Sequence, residues 1–163
     1  RRTVYRAPST PRRCMDEEGQ RHPPGMAAPV RTLAIRGVTM KKILAVDDHV
    51  HIVRLIEVNL GKEYSVLTAA DGEEGMEKAR QERPDLIILD VVMPKKDGFV
   101  MLSELKADPR LRPIPVIMLT VKAQNSDIVR GLHEGAEYYL PKPFHPHELQ
   151  ALVRRVLQDA APA

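Results

Sequence analysis

The chain has 163 residues, of which 43% are hydrophobic, and this length and composition suit one domain with a substantial core. Its formal net charge is +3 at pH 7, and its single cysteine excludes an internal disulfide framework and a thiolate metal site. No apolar run approaches the roughly 18 residues that a membrane span needs, so we expect a soluble protein in a reducing compartment, the cytoplasm.

The first 39 residues differ in composition from the rest. They carry eight arginines, no lysine and three acids, for a net charge of +5, whereas residues 40–163 carry −2. Five prolines interrupt the segment and no helical or strand periodicity persists, which predicts a disordered Arg/Pro-rich arm. Two interpretations stay open: a leader or upstream start before an ordinary beginning at Met40, or a basic interaction arm.

From Lys41 onward, strand and helix patterns alternate. The short apolar run in "KKILAVDD" is bounded by charge and predicts a first strand that is buried on both faces. The next segment, "HVHIVRLIEVNLG", has one apolar helical stripe and a terminal glycine, which predicts a helix. A second strand is predicted at "YSVLTA", and a second helix at "DGEEGMEKARQERP".

The same alternation continues through the second half of the chain. "DLIILD" predicts the third strand and "GFVMLSELKAD" the helix after it. "IPVIMLT" predicts the fourth strand, "SDIVRGLHEG" a helix, and "EYYL" a very short fifth strand.

The last helix has the clearest pattern of all, because its apolar residues follow the i, i+3, i+4, i+7, i+8 spacing of a core-facing stripe: Leu149, Leu152, Val153, Val156 and Leu157. Five strands that alternate with five helices predict an α/β fold, with a parallel sheet covered on both faces. We therefore expect one folded domain over residues 40–158 and a short tail over residues 159–163.

Polar side chains stand at the carboxyl ends of four of the five predicted strands. They are Asp47 and Asp48 after the first strand, Asp90 at the third, Thr120 at the fourth, and Lys142 just past the fifth. Each alone could cap a helix or face solvent. Together on the rim where parallel sheets place their ligands, they predict a functional site.

The charges at this rim indicate a missing cation. Three crowded carboxylates repel one another, and Lys142 offsets only one of them. A divalent cation would neutralise the remainder, and an all-oxygen site suits Mg²⁺. A carboxylate beside Mg²⁺, a lysine and a hydroxyl has the parts needed to receive a phosphoryl group.

Four short motifs, in this order and at these strand ends, resemble the receiver domain of two-component response regulators: "AVDD", "LDVVMPKKDG", "MLT" and "YLPKPF". The likeness covers residues 41–157. It implies a flavodoxin-like, doubly wound (βα)5 fold whose five-stranded parallel sheet has the order 2-1-3-4-5.

By that resemblance, Asp90 is the residue that is phosphorylated. The resemblance also implies a Mg²⁺ ion held by Asp48 directly, by Asp47 through water, by Asp90 and by the backbone carbonyl of Val92.

The resemblance assigns roles to three further residues. Thr120 would bond a phosphoryl oxygen, and Lys142 would pair with the phosphoryl group and with Asp90. Tyr139 matches the switch aromatic that turns inward when Thr120 moves; the alternative is that Tyr139 is a half-buried packing residue, with Tyr138 as the exposed one. The Lys142–Pro143 bond corresponds to a peptide bond that is often cis in this family, and only the structure can show its isomer.

The resemblance implies a sensor histidine kinase or a histidine phosphotransfer protein as phosphoryl donor. We expect a stand-alone receiver whose docking surface comprises the fourth strand, the helix after it, the fifth strand and the last helix, with these residues: Val129, His133, Tyr138 and Tyr139. The helices there carry both charge signs, which favours a protein partner over nucleic acid or a membrane. A phosphorylation-linked dimer stays open.

Two other functions compete with this one. The receiver could regulate a nucleic-acid-binding transcriptional regulator, through the basic arm or through an output domain that the sequence does not contain. A Mg²⁺-dependent phosphatase would need a second acid two residues beyond Asp90, where Val92 stands, so we do not expect an enzyme beyond self-directed phosphotransfer and dephosphorylation. His49 and His51 invite a metal or phosphohistidine interpretation, but their place at a helix start favours surface residues.

Overall fold

The computed structural model describes residues 39–121 and 135–161, and every structural statement below concerns these residues. Five strands form one parallel sheet: β1 Lys42–Val46, β2 Ser65–Ala69, β3 Leu86–Asp90, β4 Val116–Thr120 and β5 Tyr138–Pro141. Their order is β2-β1-β3-β4-β5, which confirms the predicted flavodoxin-like topology.

Four helices connect or follow these strands in the described part of the chain: α1 Val50–Leu60, α2 Gly72–Glu82, α3 Gly98–Ala107 and α4 Pro146–Asp159. The helix predicted between β4 and β5 falls almost wholly on residues 122–134, which lie outside the described residues. Val129 and His133 of the predicted docking surface lie there too, as residues 1–38 of the predicted arm lie outside at the other end.

The sheet separates two hydrophobic cores, because successive residues of a strand point to opposite faces. Leu89 packs in one core with Met101 of α3, whereas Ile88 packs in the other with Ile56 of α1 and Leu149 of α4. Every residue of β3 is buried, which explains why its sequence is apolar up to its last position. The central strand is therefore held on both faces and at both edges.

The register of the strands brings their carboxyl ends to one edge of the sheet. Val46 lies beside Leu89, Asp90 beside Leu119, and Thr120 beside Pro141. The residues that directly follow β1 and β5 therefore lie beside the ends of β3 and β4. Within the described ranges, no helix has the length and apolar character to cross a bilayer.

Candidate functional site

Three aspartates converge at the carboxyl edge of the sheet. Asp47 follows β1 and Asp90 ends β3, and each residue is only 1% exposed. The side chain of Asp48 is more open, at 28% exposure. One carboxylate oxygen from each lies within 4.8 Å of the others, and a ring nitrogen of His49 lies within the same distance. The structure thus brings together the acids that the sequence predicted as a site.

Lys142 places its ammonium group between two of these acids. Its Nζ donates a hydrogen bond to Oδ2 of Asp47 at 2.6 Å and lies 3.0 Å from Oδ1 of Asp90. The peptide bond between Lys142 and Pro143 is cis. Oδ1 of Asp90 is fully buried, yet it accepts no hydrogen bond of normal geometry from the described residues, so the contact with Lys142 is an ion pair. Its lone pairs stay available to a further cation or an electrophile.

The surroundings of Asp90 shift the pKa of its carboxyl group upward. Burial raises the pKa of Asp90, the ammonium of Lys142 lowers it, and the neighbouring charges of Asp47 and Asp48 raise it, with a net increase. For Lys142, burial lowers the pKa, but its contacts with Asp47 and Asp90 outweigh burial and raise it. The site therefore holds more negative charge than one lysine can stabilise.

Thr120 and Tyr139 lie on the same face of the sheet. Thr120 ends β4 and is 3% exposed, and its carbonyl accepts a hydrogen bond from the backbone N–H of Lys142. Tyr139 lies beside Met118, two residues before Thr120, and packs half-buried against the same core. Tyr138 packs on the opposite face, where its hydroxyl donates to Oδ2 of Asp159. The predicted switch residue is thus on the side of the sheet that Thr120 faces.

The turn after Asp90 depends on a close backbone approach. The N–H of Gly98 donates to the carbonyl of Val91 at 2.9 Å. A Cβ atom at position 98 would lie 2.1 Å from the carbonyl oxygen of Asp90, so only glycine fits there without a backbone shift. Val92, which lies in the turn between Val91 and Gly98, is 65% exposed. The start of α3 therefore packs against the backbone of Asp90.

An ion pair ties this turn to helix α2. Lys95 adopts a left-handed conformation, with φ of 67°, and its Nζ lies 2.9 Å from Oδ2 of Asp71. Asp71 also caps α2 by accepting from the backbone N–H groups of Glu73 and Glu74. Hydrogen bonding from the Glu74 N–H, and then from Lys95, lowers the pKa of Asp71. The α2 cap and the turn therefore share one carboxylate.

His49 is the functional candidate whose contacts the sequence interpretation missed. Its ring is 62% exposed, as expected at a helix start, but Nδ1 lies 3.1 Å from Oδ1 of Asp47 and 3.0 Å from Oδ1 of Asp48. Its backbone N–H also donates to Oδ1 of Asp47, which turns the chain back over the acid pair. An aspartate side chain commonly accepts a bond from the backbone two residues further on, and this was the available signal.

The residues present fit a magnesium ion. Asp47, Asp48 and Asp90 supply hard carboxylate oxygens, the donor type that Mg²⁺ prefers. The buried Oδ1 of Asp90 accepts no hydrogen bond of normal geometry from the residues that the structure describes, and beside its ion pair with Lys142 it can contact a metal cation. The site has the acids, the lysine and the hydroxyl that phosphoryl transfer to a carboxylate requires.

Comparison with known proteins gives a consistent picture. A family model described as the response regulator receiver domain matches residues 43–154. The chemotaxis response regulator CheY4 of Vibrio cholerae is 38% identical, with a TM-score of 0.69, over 72% of this chain and 99% of that one.

Two similar curated proteins are transcriptional regulators by name. The alkaline phosphatase synthesis transcriptional regulatory protein PhoP of Bacillus subtilis is 46% identical over 72% of this chain and 49% of its own length. The DNA-binding dual master transcriptional regulator RpaA of Synechocystis is 43% identical over 73% of this chain and 50% of its own. The chain thus spans about half the length of these relatives.

Proposed function

Because this chain belongs to the response regulator receiver domain family, we propose that Asp90 accepts a phosphoryl group in a Mg²⁺-dependent signalling reaction. The donor is a phosphohistidine on a sensor histidine kinase or on a histidine phosphotransfer protein. The observation that carries the proposal is the convergence of Asp47, Asp48 and Asp90 within 4.8 Å, with Lys142 Nζ 3.0 Å from Asp90.

The proposed transfer forms one bond and breaks another. A carboxylate oxygen of Asp90 attacks the phosphorus atom, the P–N bond to the donor histidine breaks, and the imidazole leaves with the electron pair. The product is an acyl phosphate on Asp90. The rigid end of β3, buried on both faces, holds the carboxylate in place for in-line attack.

The surrounding residues stabilise the charge of the transferring group. Asp47, Asp48, Asp90 and the carbonyl of Val92 would hold Mg²⁺, which when bound neutralises negative charge on the phosphoryl oxygens. Lys142 is close enough to Asp90 to contact the same oxygens. Thr120, at the end of the adjacent strand, would donate its hydroxyl hydrogen to one of them.

The decisive experiment is incubation with acetyl phosphate and Mg²⁺, read by intact mass spectrometry. We expect the mass of one added phosphoryl group, its loss in Asp90→Asn, and its prevention by EDTA. A folded wild-type protein that gains no mass under these conditions, or an Asp90→Asn variant that gains it equally, would refute the proposal.

The rim of the site supports a protein donor. Three exposed valines follow the strand ends that form the site: Val50 at 70%, Val92 at 65% and Val121 at 62% exposure. Apolar side chains around a polar crevice favour docking of a protein surface. We expect Val121→Lys to slow transfer from a phosphorylated histidine phosphotransfer protein but not from acetyl phosphate; equal slowing with both donors would count against docking at this rim.

We further propose that Tyr139 reports the phosphorylated state through Thr120. Its position beside β4, on the face that Thr120 shares, supports this coupling. The ring resonances of Tyr139 should shift when beryllofluoride and Mg²⁺ are added, and Thr120→Ala should abolish the shift. Resonances that do not move would make Tyr139 a packing residue.

We also propose that the chain does not turn over external phosphate esters. Val92 stands where a phosphatase of this chemistry would need its second acid, and it is exposed and apolar. Incubation with p-nitrophenyl phosphate and Mg²⁺ should release no more product than the Asp90→Asn variant does. Sustained turnover by the wild type alone would make the chain an enzyme.

A second candidate for the output is control of DNA binding. Relatives that are transcriptional regulators by name, twice the length of the matched region, favour this output over a purely protein-directed signal. If the basic segment supplies the contact, DNA binding should weaken steeply with salt and disappear when residues 1–39 are removed. Binding that survives the truncation would exclude that segment as the DNA contact.

A further inference from the structure

We infer that His49 is an additional ligand of the metal site, which makes it a mixed nitrogen and oxygen site with a preference for transition-metal dications of the Ni²⁺ and Zn²⁺ class. The inference rests on the proposed function in taking Asp47, Asp48 and Asp90 as the metal-binding acids. It goes further by adding a donor atom of a different chemical kind and by stating the selectivity that this atom confers.

The spacing of the donor atoms matches a single metal centre. Nδ1 of His49 lies 3.0 Å from Oδ1 of Asp48 and 3.1 Å from Oδ1 of Asp47. Adjacent ligands of an octahedral ion with metal–ligand bonds of roughly 2.1 Å are about 3.0 Å apart. The imidazole nitrogen and the two carboxylate oxygens therefore already have the separation of neighbouring corners of one coordination polyhedron.

The fourth donor gives an independent reason to expect a ligand. Oδ1 of Asp90 is buried and accepts no hydrogen bond of normal geometry from the described part of the chain. An oxygen of its carboxylate lies within 4.8 Å of the donor atoms of Asp47, Asp48 and His49. That oxygen has one cationic neighbour, Lys142 Nζ at 3.0 Å, and a metal ion among these atoms would give it a second and replace the direct contacts of the histidine ring with the acids.

The backbone holds the histidine in position for this role. The N–H of His49 donates to Oδ1 of Asp47 at 2.8 Å, and the residue occupies the N-cap position of α1 without a capping hydrogen bond from its side chain. The ring is not needed to stabilise the helix end. Because it is 62% exposed, it can carry its proton on Nε2 and present Nδ1 to a metal.

The consequence concerns which metals the site selects. Carboxylate oxygens alone suit Mg²⁺, whereas an imidazole donor adds affinity for Ni²⁺ and Zn²⁺ and little for Mg²⁺. His51 provides a matched control, because it lies two residues further on the same helix, is exposed, and is not among the clustered donors.

The test uses the full chain with Mn²⁺ as a spectroscopic probe of the site. Pulsed EPR should show nitrogen coupling from a directly bound imidazole in the wild type and in His51→Ala, and none in His49→Ala. The Mg²⁺ and Ni²⁺ concentrations that displace Mn²⁺ give the selectivity, and the preference for Ni²⁺ over Mg²⁺ should fall at least about tenfold in His49→Ala.

A wild type that fails to bind Mn²⁺, or binds it without nitrogen coupling, overturns the inference, as does coupling that persists in His49→Ala. The wild-type spectrum does not depend on whether any variant folds. Phosphorylation of the same preparation by acetyl phosphate and Mg²⁺ separates the two proposals. Mass gain without nitrogen coupling refutes the role of His49 alone, and nitrogen coupling without mass gain refutes the phosphoacceptor role alone.

Discussion

The position of Asp90 at the candidate site destabilises the folded protein. Its burial and the nearby charges of Asp47 and Asp48 raise its pKa, so its ionised form is disfavoured in the folded protein relative to the unfolded chain. Removal of that charge should therefore stabilise the protein wherever Asp90 would otherwise be ionised.

We expect Asp90→Asn to increase the free energy of unfolding by about 1 kcal/mol at neutral pH without Mg²⁺. In the wild type, ionised Asp90 lowers the free energy of unfolding at every pH above its raised pKa. This destabilisation declines as the pH falls through the raised pKa and is absent below the ordinary value of 3.8. The gain should follow that course in urea unfolding curves. Glu77→Gln, which changes an exposed acid on α2, is the control; a pH-independent gain at Asp90 would contradict the electrostatic cause.

Lys142 has the opposite effect on stability. We expect Lys142→Met to destabilise the fold by roughly 2–3 kcal/mol at pH 7, because Asp47 and Asp90 lose their common cation in a largely buried site. The raised pKa of Lys142 means that its own titration leaves the contribution complete below 10.5 and removes it only as the pH rises through the higher folded value.

Urea unfolding at pH 7 and at pH 4 would measure this effect, and the loss should shrink at pH 4, because the raised pKa of Asp90 favours its protonation there. Lys95→Met is the control, because its ion pair with Asp71 involves an exposed lysine that water screens, so the loss should be much smaller than in Lys142→Met. Equal losses in both variants would show that Lys142 acts as an ordinary surface charge.

The acids were predictable residue by residue, whereas the contacts of His49 were not. Asp47, Asp48 and Asp90 each follow an apolar run, and in a parallel sheet that pattern alone places them at one edge. The orientation of the His49 ring depends instead on a backbone hydrogen bond to Asp47 and on χ angles that no sequence period encodes. The exposure of His49 was predicted correctly, whereas its contacts with the acids were not predicted.

At the scale of elements, the turn from β3 to α3 is defined by a backbone contact. We expect Gly98→Ala to destabilise the fold by roughly 2–3 kcal/mol, because the new Cβ would meet the carbonyl of Asp90 and force the backbone to shift. The shift would displace Asp90 itself, so phosphorylation by acetyl phosphate should also slow.

Gly72→Ala is a matched control at the start of α2. The atoms nearest to its added Cβ belong to the side chain of Lys96 rather than to a backbone carbonyl, and they lie at 2.9–3.0 Å, so the loss should be smaller than in Gly98→Ala. Thermal melts and phosphorylation rates of the two variants would decide the matter. Equal losses would show that the contact with Asp90 is not what requires glycine at position 98.

Most helices and strands were predictable because their apolar residues recur at regular intervals. The stripe of α4 contains three residues that the structure buries with at most 2% exposure: Leu149, Val153 and Val156. In contrast, β2 alternates only weakly, and its residues are mostly half-buried, since it lies at the edge of the sheet. The reason for Gly98 was not predictable, because the contact joins backbone atoms of two elements.

For the whole molecule, the metal site and the stability of the fold should be linked. Any cation that binds only the folded state stabilises it, by about 2.7 kcal/mol when its concentration is 100 times its dissociation constant. We expect MgCl₂ to raise the melting temperature of the wild type by several degrees relative to NaCl of equal ionic strength. Asp48→Ala should lose most of this increase, and an equal increase in that variant would show that Mg²⁺ binds elsewhere.

The overall topology followed from two different sources. Alternating strand and helix patterns predicted a parallel sheet with both faces covered, whereas the order 2-1-3-4-5 came only from the family resemblance. Local patterns cannot specify that order, because β1 pairs with β3 across the whole of α1, β2 and α2. Because the paired strands are far apart along the chain, local patterns predict the strands but not their order, and only the family resemblance supplied that order.

Among the described residues, the parallel arrangement also leaves the other edge of the sheet without any residue of the candidate site. The segments that lead from a helix into the next strand, residues 61–64, 83–85 and 108–115, all lie there. A five-residue strand is about 16 Å long, so these segments are roughly that far from the crevice. Exposed Lys62 and Arg112 are therefore suitable points for attaching a dye or for immobilising the protein on a sensor chip while its reactive edge stays accessible.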